Sequence, residues 1–219
     1  MNEMSRTVMF IGMGYLSGSV LYARVFARVF RKENMLEQSR DHNPGTANAF
    51  LYGGFWCGVC TLIFDLLKGF LPVYVFLQNR NPDAFQSWLS ALVLAAPVIG
   101  HTFSVFYGFR GGKGIAVTFG CLAGLYPVLE PLYMFAFCFI FFSTILKISP
   151  HFYRTVFSYL LALLMIGRKA EGMLFIVRGF FAAAVVVLIR MLTSKEKKSR
   201  LEVKLFGCFN TFLRDRRRT

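Results

Sequence analysis

Apolar runs interrupted by short polar or basic stretches divide this chain into segments near residues 7–30, 49–77, 87–107, 114–126, 132–147, 155–167 and 172–193, which predicts about seven helices. The longer runs reach the roughly 20 residues that a helix needs to cross a bilayer. The runs 114–126 and 155–167 fall short, so partial or broken helices packed against neighbours are expected there. Pro127 and Pro131 bracket the dipeptide Leu129-Glu130 and split a long apolar run into two antiparallel helices; without that split the count is six.

Composition makes the class firm. With 56% hydrophobic residues, 26 of them Phe, and a mean hydropathy of +0.53, the chain carries too little polar surface to cover a soluble domain. The expected fold is an all-α integral membrane protein with some short or broken helices: a polytopic unit over 1–193, followed by a basic tail over 194–219. The net charge of +14 does not call for nucleic acid, because the basic residues lie between apolar runs and in the tail, where anionic lipid headgroups supply the counter-charge. Cys57, Cys60, Cys121, Cys138 and Cys208 fall mostly inside apolar runs, which argues against a disulfide framework. Cys57-x-x-Cys60 lacks a second ligand pair, and the scattered histidines give no metal-ligand spacing, so neither a metal nor another cofactor is expected.

Charge also orients the chain. Lys195, Lys197, Lys198, Arg200, Lys204, Arg214 and Arg216 to Arg218 favour a cytoplasmic tail. Counting back through seven helices puts the loops 31–48, 108–113 and 148–154 in the cytoplasm and the N-terminus outside, with Arg168-Lys169 as a mild exception. The tail itself repeats Leu201, Leu205, Phe209 and Leu213 at four-residue spacing, which reads either as an amphipathic helix on an anionic leaflet or as a disordered topogenic segment. Gly14-x-x-x-Gly18, continued by Ser19, offers a small face for close helix packing.

The most informative chemistry lies in Phe109-Arg110-Gly111-Gly112-Lys113-Gly114, a glycine-rich basic turn between two apolar runs. Glycines allow backbone N–H groups to face a ligand. Arg110 and Lys113 add charge, and the following helix adds a positive N-terminal end, so the turn reads as a phosphate site. A plain basic loop obeying the positive-inside rule is the alternative. A P-loop is excluded, since Lys113 is followed by glycine and Tyr107 stands where the first glycine belongs; a dinucleotide fingerprint at Gly12 to Gly18 lacks its third glycine. Asp65 and Lys68, at i and i+3 inside an apolar run, share a helix face and can pair. Each would cost about 2.5–3.5 kcal/mol alone at a bilayer centre, so they form either a structural ion pair or part of a polar cavity. Asp41-His42-Asn43-Pro44-Gly45-Thr46-Ala47-Asn48 is a polar turn that helix capping explains only in part.

Taken in order, Gly18-Ser19, Asn43-x-Gly45-x-x-Asn48, Asp65-x-x-Lys68-Gly69 and Gly100-His101-x-Phe103-x-Val105-Phe106 running into Arg110-Gly111-Gly112-Lys113-Gly114 resemble the bacterial acyl-phosphate:glycerol-3-phosphate acyltransferase family over about the first 120 residues. The resemblance implies a seven-helix bacterial inner-membrane enzyme. Its two substrates would be acyl phosphate and glycerol 3-phosphate, and its product lysophosphatidic acid for phospholipid synthesis. On this reading His101 and Lys113 are the catalytic residues. Ser19, Asn43, Gly45, Thr46, Asn48, Asp65, Lys68, Arg110, Gly111, Gly112 and Gly114 bind substrate, the glycines through backbone N–H groups. An acyl phosphate already carries a good leaving group, so direct transfer to a positioned hydroxyl needs no protein nucleophile.

Departures from the family pattern fall on phosphate-handling positions. Asp41 stands for a serine, Ala47 for a threonine and Leu51 for an arginine. The family's C-terminal His-Arg-Glu-Asn segment aligns with Ser194-Lys195-Glu196-Lys197, without the His and Asn. These losses keep two rivals open: a relative that binds acyl phosphate or lipid phosphate without turnover or with another acceptor, and a small transporter with Asp65 and Lys68 on its pathway.

Overall fold

The computed structural model describes residues 2–39, 41–78, 88–169, 174–194 and 201–205. Helix α1 (Glu3–Ser19) begins on the side chain of Asn2, which accepts the Ser5 N–H at 2.8 Å. The helix breaks at Val20 and Leu21 and resumes as α2 (Tyr22–Val29), so the first predicted helix is two pieces. After the short α3 (Met35–Gln38), α4 (Thr46–Gly53) is separated from α5 (Phe55–Gln78) by Gly54, whose φ of 92° is open to glycine at little cost. Next come α6 (Trp88–Thr102) with a 3-10 turn at Val105–Tyr107, α7 (Ile115–Ala123), and α8 (Glu130–Ile140), which runs on into a π turn at Phe141–Ile145. Strand β1 (Leu146–Ser149), α9 (His151–Lys169), α10 (Leu174–Thr193) and β2 (Glu202–Leu205) complete the described chain.

Two expectations need correction here. The predicted helix over 132–147 gives way to β1, which pairs antiparallel with β2 in the register Leu146 to Leu205 and Ile148 to Val203. The described tail residues Glu202–Leu205 therefore form a strand, not a turn of amphipathic helix. Its residues alternate sides, Ile148 is buried, and Lys204 pairs with Glu202 at 3.4 Å, an i,i+2 contact that a strand permits and a helix does not. The rest of the tail helix, at Phe209 and Leu213, lies outside the described residues.

Glu3–Val29, Phe55–Gln78, Trp88–Tyr107 and Leu174–Thr193 are long and apolar enough to cross a membrane, and Glu130–Ile145 is a shorter apolar helix. Glycines set their spacing. Gly14 and Gly18 do form a packing face: a Cβ on Gly18 would run into the carbonyl of Pro97 on α6, and Gly14 faces Ala96 and Pro97. Gly69 and Gly120 bring α5 against α7 in the same way. Phe135, Tyr159 and Phe180 fill the centre, with Phe135 edge-on to Tyr159 at 4.7 Å and to Phe180 at 5.2 Å.

Contacts at the two ends fix the path. Arg6 donates to the Phe76 carbonyl at 2.8 Å, Tyr74 meets Tyr126, and Arg178 lies over Trp88; these mark one end. At the other, Lys113 meets Asp41, Arg190 meets Gly111, and β1 meets β2. Among the described residues the chain thus runs end to end seven times, with the nine-residue α7 as the shortest pass.

Candidate active site

The break between α1 and α2 leaves the carbonyls of Ser19 and Val20 without helical partners. The Ser104 hydroxyl takes the first at 2.6 Å, and the Lys68 ammonium takes the second at 2.7 Å. Lys68 also reaches the Asp65 carboxylate at 2.7 Å and Nδ1 of His101 at 2.8 Å, so all three of its N–H donors are engaged inside the protein. An ammonium can only donate, which makes Nδ1 the acceptor and leaves the His101 proton on Nε2. Lys68, expected as a substrate ligand, thus has its donors engaged within the protein and does not itself line the neighbouring cavity.

In front of this cluster lies a cavity of about 830 Å³. Asp65 and His101 reach it from α5 and α6; Asn43, Gly45, Thr46 and Asn48 form another wall; Lys113 and Gly114 close the turn side. Leu62, Leu66, Phe119 and Leu132 supply an apolar face. The Thr46 hydroxyl donates to the second Asp65 oxygen at 3.3 Å, holding α4 to α5.

Lys113 does not stand alone: its ammonium meets Asp41 at 3.0 Å. The same carboxylate accepts the Asn48 amide at 2.8 Å and the Asn43 N–H at 3.2 Å, and Asn48 also holds the Asn43 carbonyl at 2.8 Å. Burial alone would push the Asp41 carboxyl up. The hydrogen bonds from Asn48 and Lys113, with the Lys113 charge, outweigh it and hold the group below the usual carboxylate range.

The glycine turn works differently from its sequence reading. The N–H groups of Gly111 and Gly112 donate to the carbonyls of Thr102 at 3.1 Å and His101 at 3.0 Å, so the expectation that they are donors to phosphate is not met. Both glycines are needed because the turn packs onto His101: a Cβ on Gly111 would strike the His101 carbonyl, and one on Gly112 its Nε2. Gly114, at φ 83°, lines the cavity itself. Arg110 is exposed outside the cavity, as is Leu51, and Ser19 spends its hydroxyl on the Tyr15 carbonyl at 2.8 Å. These three are not brought to the site. His42, in the same polar turn as Asp41, meets the Leu36 carbonyl at 2.8 Å away from the cavity.

Three side chains that the sequence reading did not select lie here. His151, which follows Ser149-Pro150 at the start of α9, lines the cavity, and its Nδ1 meets the Arg154 guanidinium at 2.7 Å. Arg190 donates to the Gly111 carbonyl at 2.6 Å and ties α10 to the glycine turn. Its signal was a charge inside an apolar run, the same signal that singled out Asp65.

The family described as Glycerol-3-phosphate acyltransferase matches residues 8–201 of this chain. A glycerol-3-phosphate acyltransferase of Halalkalibacterium halodurans is 38% identical over 118 residues, covering 54% of this chain and 56% of that protein. One of Endomicrobium trichonymphae is 36% identical over 136 residues, covering 61% and 66%. The chain spans about half the length of the curated relatives it matches, at 56%, 52% and 44% for three of them. Two crystal structures of PlsY (YgiH), an integral membrane glycerol 3-phosphate acyltransferase, share the fold at 24% identity. The lysophosphatidic acid form has a TM-score of 0.68 over 84% of this chain and 87% of that one, and the glycerol 3-phosphate form 0.70 over 84% and 88%.

Proposed function

This chain belongs to the glycerol-3-phosphate acyltransferase family, and we propose that it transfers an acyl group from an acyl phosphate to glycerol 3-phosphate, forming lysophosphatidic acid and phosphate for phospholipid synthesis. The observation that carries this reading is the mixed cavity. An apolar wall of Leu62, Leu66, Phe119 and Leu132 suits an acyl chain, while Lys113, His101 and Thr46 face a polar end that suits phosphate.

In the proposed step, the acceptor hydroxyl attacks the carbonyl carbon of the acyl phosphate and the bond from that carbon to the phosphate oxygen breaks. The departing phosphate takes the bonding pair and ends with the hydroxyl proton. His101 has no free basic nitrogen in this arrangement, because Nδ1 is held by Lys68. Its Nε2–H instead suits a donor to the developing oxyanion or to phosphate, with Asp65 and Lys68 fixing the ring. Lys113 would hold phosphate, which requires release from Asp41. The membrane reading follows the same line: the proposed site is the bacterial inner membrane, with the loop end of the bundle and the tail cytoplasmic and the N-terminus outside, on a leaflet whose anionic lipids answer the basic loops.

The test is phosphate release by purified protein from an acyl phosphate, with and without glycerol 3-phosphate. Release that depends on the acceptor supports transfer. Release without acceptor removes it in favour of hydrolysis of the acyl phosphate, and no release in either case removes it in favour of a binding protein. Lys113→Ala should weaken the dependence on a phosphate substrate by about 1.5–3 kcal/mol, whereas Arg110→Ala, at an exposed position, should leave it nearly unchanged.

A further inference from the structure

His101 and His151 come from different elements, α6 and α9, yet line one cavity. They are held in the same way. Nδ1 of His101 meets the Lys68 ammonium at 2.8 Å, and Nδ1 of His151 meets the Arg154 guanidinium at 2.7 Å. Both partners can only donate, so each ring accepts at Nδ1 and carries its proton on Nε2. The cavity is thus bordered by two imidazoles fixed as hydrogen-bond donors. Lys113 lies close enough to His151 for its charge to act on the ring, with Asp41 on the same side. A donor with a cation beside it is the pairing that a phosphate oxygen accepts.

We propose that His151, oriented by Arg154, is a second phosphate-binding residue of this cavity, acting with Lys113 on the phosphate group of one substrate while His101 serves the other side. The proposal rests on the acyltransferase reading for the identity of the two phosphate compounds, acyl phosphate and glycerol 3-phosphate. It also gives the chain an imidazole and a guanidinium near the site, although the aligned C-terminal segment has lost its His. Arg154 is a positioning residue in this scheme.

Binding separates this proposal from turnover. Full-length protein in detergent is titrated with inorganic phosphate, glycerol 3-phosphate and a non-transferable acyl phosphonate, for the parent, His151→Leu and His151→Gln. Leucine fills space without a donor, and glutamine returns an N–H near the position of Nε2. His151→Leu should weaken inorganic phosphate and one of the two substrate probes by about tenfold or more, and His151→Gln should stay within about threefold of the parent. The probe affected identifies whether donor or acceptor phosphate is held. Unchanged binding in His151→Leu, or equal loss in His151→Gln, overturns the proposal, the latter by showing a structural role. If His151→Leu does not fold, protection of His151 in the parent from an imidazole-acylating reagent by inorganic phosphate decides: protection supports the assignment and its absence ends it. A parent that binds phosphate but transfers nothing removes the acyltransferase reading and leaves this one standing.

Discussion

At the residue scale the most consequential position is Asp41. Lys113, Asn48 and the Asn43 N–H converge on its carboxylate, which is the set of donors that a phosphate oxygen would need. An arriving phosphate must displace that carboxylate and then bear its like charge nearby. Asp41→Ser should therefore lower the glycerol 3-phosphate concentration for half-maximal transfer, by about tenfold for each 1.4 kcal/mol recovered, as initial rates against acceptor concentration would read. Leu51→Arg should add little, because that side chain is 75% exposed and outside the cavity. A rise in the half-maximal concentration on Asp41→Ser would mean that Asp41 holds Lys113 ready instead of competing for it. Stability moves the other way. A carboxyl depressed in the fold stabilises above the ordinary carboxylate range, and that stabilisation is lost as pH falls through the depressed value, so the melting deficit of Asp41→Ser should be present near neutrality and fade in strong acid. Charge inside or beside apolar runs pointed to Asp65, Lys68 and Lys113, and the family resemblance pointed to His101. Neither could say which donors are already spent, as those of Lys68, Gly111 and Gly112 are.

Elements were legible where apolar periodicity is long and illegible where pairing is remote. The helices follow their predicted runs, and the small face at Gly14 and Gly18 could be read from spacing alone. The break at Val20 could not: no proline or polar cluster marks it, and what sustains it is Lys68 and Ser104 reaching in from α5 and the end of α6. The ribbon of β1 and β2 was hidden for a related reason, since four-residue strands far apart in sequence leave no local period to detect. Close packing of α1 on α6 gives an element-scale prediction. A Cβ at Gly18 would meet the Pro97 carbonyl, whereas one at Gly12 finds nothing within 4 Å. Gly18→Ala should then destabilise by roughly 1–3 kcal/mol through overpacking and also lower activity, because it shifts the carbonyl that anchors Lys68. Gly12→Ala should be neutral or stabilising by up to about 1 kcal/mol. Thermal unfolding in detergent compares them, and equal melting of the two variants would deny the close approach.

Across the described residues, an odd number of passes means that the start of α1 and strand β2 lie at opposite ends, and the cavity loops share an end with β2. This is the arrangement that the charge count anticipated. Arg28, Arg31, Lys32, Arg110, Lys147 and Lys204 lie at the loop end among the described residues, while the far end carries Arg6, Arg168, Lys169 and Arg178. Basic loops are retained in the cytoplasm, and both proposed substrates are phosphate compounds that would arrive from that compartment, so charge and chemistry select the same side. Single cysteines placed in a cysteine-free background can test this. In intact cells a membrane-impermeant thiol reagent should label Glu3→Cys and Arg168→Cys, but reach Asn34→Cys and Glu202→Cys only after the membrane is opened. Labelling of Asn34→Cys and Glu202→Cys from outside would invert the orientation and turn the cavity away from its substrates. If those two positions label from opposite sides, the path has an odd count between them and Glu130–Ile145 or α7 does not return across the membrane, which would break the shared end on which the site depends.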